Sequence, residues 1–137
     1  MDAGCIFNQY YSDMTRTILL RGASKELKDF YAIVMEGYHL LLHTMKIGMT
    51  FQMLNEVIIG HFKKYQLDHC FIHGLGHGVG LEVHELPFFR RHPSAQFEIK
   101  ENMVFAIEPG LYDPKIGGVR YENTIWMSPN GPIELTK

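Results

Sequence analysis

Residues 73–85 read H-G-L-G-H-G-V-G-L-E-V-H-E, with three histidines and four glycines in thirteen positions. Glycine costs order inside a strand or helix and packs nothing, so this density favours a loop that bends tightly and lets other groups approach its backbone. Imidazole is the commonest ligand for transition metals and the commonest proton carrier near neutral pH. The stretch therefore predicts a loop that delivers His73, His77 and His84 into a crowded site. The alternative is a glycine-rich loop with incidental histidines.

Composition limits the class of protein. The 137 residues suit one domain, and 46% hydrophobic with 20% charged residues is typical of a globular chain. The formal net charge of −2 predicts no basic surface for nucleic acid or for an anionic membrane. Cys5 and Cys70 form no C-x-x-C pair, which argues against a disulfide scaffold and a thiolate zinc site. With no secretory leader and no long apolar run, we expect a soluble cytoplasmic protein.

Residues 2–20 predict a β-hairpin. A turn near residues 7–8 would place Asp2 opposite Asp13, with Thr15 and Thr17 on the same face as Asp13. Facing carboxylates repel each other, and a cation between them would make the arrangement tolerable. The alternative is that one or both aspartates end strands in solvent.

Two amphipathic helices follow. Ser24 is a good N-cap for a helix of about five turns that ends near residues 46–48. Thr50 is the predicted cap of a second helix.

Short strands are predicted for the rest of the chain. Cys70–His73 would lead into the glycine-rich loop, and Met103–Glu108 would carry Glu108 at its end. A further strand over Gly117–Met127 would place Arg120 and Glu122 on one face, where a solvated charged pair is the ordinary interpretation.

Four carboxylates and one imidazole complete a candidate metal set: Asp2, Asp13, His77, Glu108 and Glu122. Four negative charges in a low-dielectric site would repel one another strongly, and two divalent cations would balance them. A set rich in oxygen favours Mn²⁺, with Co²⁺, Fe²⁺ or Zn²⁺ as alternatives. Paired metals about 3.5–4 Å apart activate a shared water for hydrolysis.

Five motifs, in order along the chain, resemble the pita-bread metallopeptidases, which include aminopeptidase P, proline dipeptidase and methionine aminopeptidase. They are D-A-G at Asp2, S-D-M-T-R-T at Ser12–Thr17, the stretch 73–85, I-E-P-G-L-Y at Ile107–Tyr112, and G-V-R-Y-E-N-T at Gly118–Thr124. The resemblance implies an α+β fold: half of a pita-bread (creatinase/aminopeptidase-like) fold, with a curved, mainly antiparallel sheet packed against two helices.

The resemblance also implies a role for each matching position. Asp2 would chelate one metal ion, Asp13 and Glu122 would bridge both, and His77 and Glu108 would complete the other. The remaining roles concern substrate: Glu108 would handle the proton of the attacking water, His84 would stabilise the tetrahedral intermediate, His73 would line the pocket, and Arg120 would hold substrate or the bridging glutamate.

The motifs P-G-L-Y and V-R-Y-E-N-T resemble the proline-directed branch. The expected substrate is therefore a dipeptide or peptide N-terminus with proline after the cleaved bond. Residues 1–137 would be the C-terminal portion of a catalytic domain whose first half is absent, so that the chain is a weakly active or inactive fragment. A homodimer that mimics the missing half is a bolder expectation. The rival interpretations are an inactive pita-bread binding module or scaffold, and a metal-free relative that acts on a small guanidino substrate.

Overall fold

A computed structural model describes residues 1–89 and 93–136. Helix α1 spans Lys25–Thr44 and helix α2 spans Phe51–Lys64. The Ser24 and Thr50 hydroxyls accept hydrogen bonds from the backbone N–H groups three residues on, so both predicted N-caps are confirmed. Short 3₁₀ turns lie at Asp68–Cys70 and Pro93–Gln96. Among the helices that the structure describes, none has the length and apolar character needed to cross a bilayer.

The strands are short and pair in antiparallel fashion. Their bounds are β1 Asp2–Ala3, β2 Ile6–Phe7, β3 Tyr10–Tyr11, β4 Met14–Thr15, β5 Gly76–Gly78, β6 Glu85–Phe88, β7 Val104–Ile107, β8 Gly110–Asp113, β9 Gly117–Arg120, β10 Asn123–Ser128 and β11 Gly131–Glu134. The main sheet has the order β11-β10-β7-β5-β6, and the pairs β1–β4, β2–β3 and β8–β9 form small ribbons.

The helices cover one face of this sheet. Phe51 of α2 stacks on Phe89 with ring centroids 4.2 Å apart, and it meets Phe105 of β7 edge to face. Tyr38 of α1 meets Tyr121 in the same edge-to-face manner at 4.8 Å. These contacts are part of a core of buried aromatic and branched side chains. The core packs against the strands whose ends carry the polar groups and so fixes the positions of those strands.

Two predictions about the glycine-rich stretch are wrong. Residues 70–73 form no strand, and the strand is β5, inside the stretch predicted to be a loop. A Cβ atom on Gly76 would lie 2.0 Å from the carbonyl oxygen of Ala106, and one on Gly78 would lie 2.3 Å from that of Leu86. These glycines are needed because neighbouring backbones lie too close for a side chain. Glycine can have this role within a strand as well as in a loop.

The predicted hairpin exists, but its register differs by two residues. Asp2 pairs with Thr15 rather than lying opposite Asp13. The turn is formed by Asn8 and Gln9, whose φ angles of 48° and 70° are left-handed, as a two-residue hairpin turn requires.

The predicted strand over residues 117–127 is also interrupted. It divides into β9 and β10, and Glu122, in the gap, forms an isolated antiparallel bridge with Thr15. This bridge is the point at which the β1–β4 ribbon meets the main sheet.

Candidate metal centre

Five strands or strand ends aim their polar side chains at one place. Asp2 lies on β1, Asp13 precedes β4, His77 lies on β5, Glu108 follows β7 and Glu122 precedes β10. Donor atoms of Asp2, Asp13 and Glu122 lie within 4.8 Å of one another, and so do those of His77, Glu108 and Glu122. A third such group joins Asp13, His77 and His84. The five predicted donors therefore share one cluster, in which Asp13, His77 and Glu122 each belong to two of the groups.

His77 is the centre of the cluster. Its Nε2 lies 3.7 Å from Asp13 Oδ2, 3.7 Å from Glu108 Oε1 and 3.9 Å from Glu122 Oε1. Its Nδ1 lies 3.0 Å from the carbonyl oxygen of Gly78, which assigns the proton to Nδ1 and leaves the Nε2 lone pair facing the carboxylates. Separations of 3.7–3.9 Å are too long for hydrogen bonds. They suit donors arranged around a cation.

The cluster holds too little positive charge to balance its carboxylates. Burial, followed by the nearby Glu122 charge, raises the pKa of Glu108 to about 8. Burial raises the pKa of Glu122 to about 7 against the lowering effect of a hydrogen bond from Thr15. Burial and the Asp2 charge raise the pKa of Asp13, and burial lowers that of His77. Divalent cations would remove this penalty, so the donor set fits them chemically.

Arg120 is the cluster's own cation. Its guanidinium donates hydrogen bonds to an Asp2 carboxylate oxygen, to Thr15 Oγ1 at 3.1 Å and to the Tyr112 hydroxyl at 3.2 Å. Its Nε lies 3.8 Å from Glu108 Oε2. This single charge lowers the pKa of Glu108 without restoring it to its usual range.

Two further histidines flank the donors. His73 Nδ1 lies 3.9 Å from Glu108 Oε2, and its ring meets that of Tyr112 edge to face at 5.4 Å. The ring of His84, which is exposed, lies 4.1 Å from that of His77. Both side chains are therefore within reach of a molecule bound against the cluster.

Sequence reasoning missed three groups that fix the donors. Thr15 donates a 2.6 Å hydrogen bond to Glu122 Oε2, and Thr124 Oγ1 bonds both the N–H and the carbonyl of Asp13. The Tyr112 hydroxyl accepts from Arg120. The alternation that placed Thr15 on the face of Asp13 was the available signal for one of them.

Comparison with known proteins gives a consistent result. The sequence profile described as metallopeptidase family M24 matches residues 1–129. The Xaa-Pro dipeptidase of Pyrococcus furiosus is 42% identical over 137 residues, which are 100% of this chain and 39% of that protein. The Xaa-Pro dipeptidase of Pyrococcus horikoshii is 41% identical over 100% of this chain and 38% of that protein.

A solved structure agrees with these relatives. Prolidase from Pyrococcus furiosus superposes with a TM-score of 0.93 at 42% identity, over 99% of this chain and 40% of that chain. The α+β pita-bread architecture predicted from the sequence is therefore confirmed. The chain spans about two fifths of the length of the relatives it matches.

Proposed function

This chain belongs to metallopeptidase family M24, and we propose that it carries the dinuclear metal centre of a peptidase that cleaves the bond before proline. The substrate would be an Xaa-Pro dipeptide or a peptide N-terminus with proline second. The observation that carries the proposal is the convergence of five metal-binding side chains from five separate strands or strand ends on one partly buried cluster.

The donors divide naturally between two cations. Asp2 would bind one ion, and His77 with Glu108 would bind the other. Asp13 and Glu122 would bridge both, and each belongs, as His77 also does, to two of the three donor groups. Because oxygen donors dominate, Mn²⁺ is the first candidate, ahead of Co²⁺, Fe²⁺ and Zn²⁺. When bound, such a pair lowers the pKa of a shared water and polarises the peptide carbonyl.

The surrounding side chains have the chemistry that hydrolysis needs. Glu108 would take the proton of the attacking water and pass it to the leaving amine, because its side chain is still 18% exposed and can reach both. His84 would donate to the oxygen of the tetrahedral intermediate, and His73 would line the substrate pocket. Arg120 would hold substrate or keep Glu122 in place through Thr15, which contacts both.

The proline preference rests on the relatives named as Xaa-Pro dipeptidases. We propose that the chain is the C-terminal portion of the catalytic domain and that the rest of the whole protein completes the substrate pocket. Retention of all five donors disfavours an inactive binding module, since such a module has no need of a buried carboxylate cluster.

Hydrolysis of a chromogenic Xaa-Pro substrate by the full-length protein, supplied with Mn²⁺, tests this function. We expect Glu108→Ala to lower the rate by at least about 100-fold, because the proton carrier and a metal donor are lost together. Glu101→Ala is the matched control, since Glu101 is exposed and lies on a turn away from the cluster. A Glu108→Ala enzyme as fast as the wild type would refute the assigned role.

The same assay separates the specificity from the metal chemistry. An Xaa-Ala substrate of equal length should be cleaved much more slowly than its Xaa-Pro counterpart. Equal rates for the two substrates would mean that the protein is a metallopeptidase without a preference for proline. The absence of hydrolysis in the Mn²⁺-loaded wild type would favour the binding module instead.

A further inference from the structure

The two carboxylates proposed to bridge the metals come from different sheets. Asp13 directly precedes β4 of the β1–β4 ribbon, whereas Glu122 directly precedes β10 of the main sheet. Ribbon and sheet meet at the bridge between Thr15 and Glu122, where Glu122 N–H donates to the Thr15 carbonyl at 3.1 Å and Thr15 N–H donates to the Glu122 carbonyl at a long 3.4 Å. The separation of Asp13 and Glu122 therefore depends on what holds this bridge, together with the two hydrogen bonds by which Thr124 Oγ1 of β10 binds the backbone of Asp13.

Arg16 spans the bridge. Its Nη1 donates to the carbonyl of Thr15 at 2.9 Å and to that of Glu122 at 2.7 Å, the two acceptors of the bridge itself. Its Nη2 donates to Asn123 Oδ1 at 2.7 Å and to the Thr136 carbonyl at 2.8 Å. All four hydrogens of the two terminal nitrogens are thus donated to oxygens. These oxygens lie on the ribbon, on the main-sheet side of the bridge and at Thr136.

An aromatic ring and a buried hydrogen-bond network also hold the guanidinium in place. The guanidinium stacks over the Tyr121 ring, 4.4 Å from the centroid. Asn123, which is fully buried, donates in turn to the Tyr38 hydroxyl at 2.7 Å and to Glu134 at 2.8 Å. A planar fork with this many fixed partners cannot be replaced by the single ammonium of lysine.

Arg16 acts from the side of the strand that faces away from the carboxylates. Side chains alternate along a strand, so Asp13 and Thr15 face the metal cluster while Arg16 points to the opposite face. On the partner segment Glu122 faces the cluster, whereas Tyr121 and Asn123 contact Arg16. Arg16 thus binds backbone and amide oxygens and an aromatic ring, and it contacts Glu122 through the backbone carbonyl rather than the side-chain carboxylate.

We propose that Arg16 is a positioning residue: it fixes the spacing of Asp13 and Glu122 so that the two can bridge a pair of divalent cations. This inference rests on the proposed dinuclear centre. The inference adds to that centre a residue, Arg16, whose side chain lies on the opposite face of the ribbon. Arg16 also binds the carbonyl of Thr136.

Mn²⁺ binding to the full-length protein, measured by titration calorimetry, tests the proposal. We expect folded Arg16→Met to bind at least one of the two ions about tenfold more weakly than the wild type. Loss of a residue that orients metal ligands without binding the metal usually has an effect of this size. Arg16→Lys should fall between the two, because one ammonium can hold only part of the four oxygens. Arg21→Met is the matched control, since Arg21 is exposed on a turn and should leave both affinities unchanged.

Hydrogen exchange of the metal-free protein gives a readout that does not depend on metal. In Arg16→Met and Arg16→Lys, peptides covering residues 13–17 and 120–124 should exchange faster, while peptides from α1 should not. Wild-type binding of both ions by folded Arg16→Met overturns the proposal, and if that variant does not fold, wild-type binding by Arg16→Lys does so. Wild-type protein that binds no Mn²⁺ refutes the dinuclear centre itself, whatever the variants do.

Discussion

Raising the pH should destabilise the metal-free protein, because its buried carboxyls must ionise against one another. An unfolded glutamate ionises near 4.5, whereas the folded pKa is about 8 for Glu108 and about 7 for Glu122. The folded state thus binds more protons than the unfolded state between these values. The resulting stabilisation is fully present below the unfolded pKa and is lost as the pH rises through the folded pKa.

The size of the effect follows from the same values. One pKa unit corresponds to ~1.4 kcal/mol. Between about pH 6.5 and about pH 8.5, we expect Glu108 to contribute a loss of about 2 kcal/mol and Glu122 a loss of about 1 kcal/mol. His77 has the opposite sign at lower pH, since burial lowers its pKa and stability rises as the pH approaches its unfolded value of 6.5. A pH range that starts near 6.5 avoids most of the cancellation between the His77 effect and the effect of the two glutamates.

Urea unfolding followed by the fluorescence of Trp126, the single tryptophan, measures this change. The chelator-treated protein should lose about 3 kcal/mol of unfolding free energy over that range, on the order of a third of the stability of a typical domain. Glu108→Gln should lose no more than about 1 kcal/mol, while Glu101→Gln, at an exposed position, should behave as the wild type. Saturating Mn²⁺ should abolish the decline, because bound cations keep the carboxylates ionised.

A metal-free wild type whose stability is flat or rises across this range would refute the interpretation. Such a result would mean that the carboxylates have enough countercharge or water without a metal. An equal decline in Glu108→Gln and in the wild type would assign the effect to groups outside the cluster.

Two further predictions concern the scaffold of the site. Gly76→Ala should lower the free energy of unfolding by about 3 kcal/mol or more, because its Cβ would meet a backbone oxygen of β7. Gly60→Ala, in α2 with open space around it, should raise it by ~1 kcal/mol, and equal effects in thermal unfolding would contradict this account. Asn123→Ala should cost about 3 kcal/mol, since its buried amide binds Tyr38, Glu134 and Arg16. Asn130→Ala, at an exposed turn, should change stability by less than about 0.5 kcal/mol, and similar losses for both asparagines would refute the role of the buried network.

The helices could be predicted from the sequence because their signals are local. Ser24 and Thr50 precede apolar residues that recur with helical spacing, and each cap bonds the backbone three residues on. The candidate donors were chosen as carboxylates and an imidazole at predicted strands or strand ends, and the order of the five motifs supported that choice. Neither signal requires knowledge of the exact strand pairing. The metal roles of those donors stay predictions.

The errors have a common origin in partners distant along the chain. Whether Gly76 supplies flexibility or admits a neighbouring backbone depends on Ala106, thirty residues away. The hairpin register depended on Asn8 and Gln9 taking left-handed conformations, which neither residue requires. Arg16 was assigned no role from the sequence, because its acceptors near position 122 and at Thr136 lie more than a hundred residues further on.

Residues 135 and 136 matter for anyone who shortens this protein. Thr136 offers its carbonyl to Arg16 and its hydroxyl to the N–H of Thr124, and Leu135 N–H donates to the Thr124 carbonyl. Deleting residues 135–137 would remove all three anchors, although neither Leu135 nor Thr136 contacts a carboxylate of the cluster. A shortened version of this protein should therefore keep residues 135 and 136.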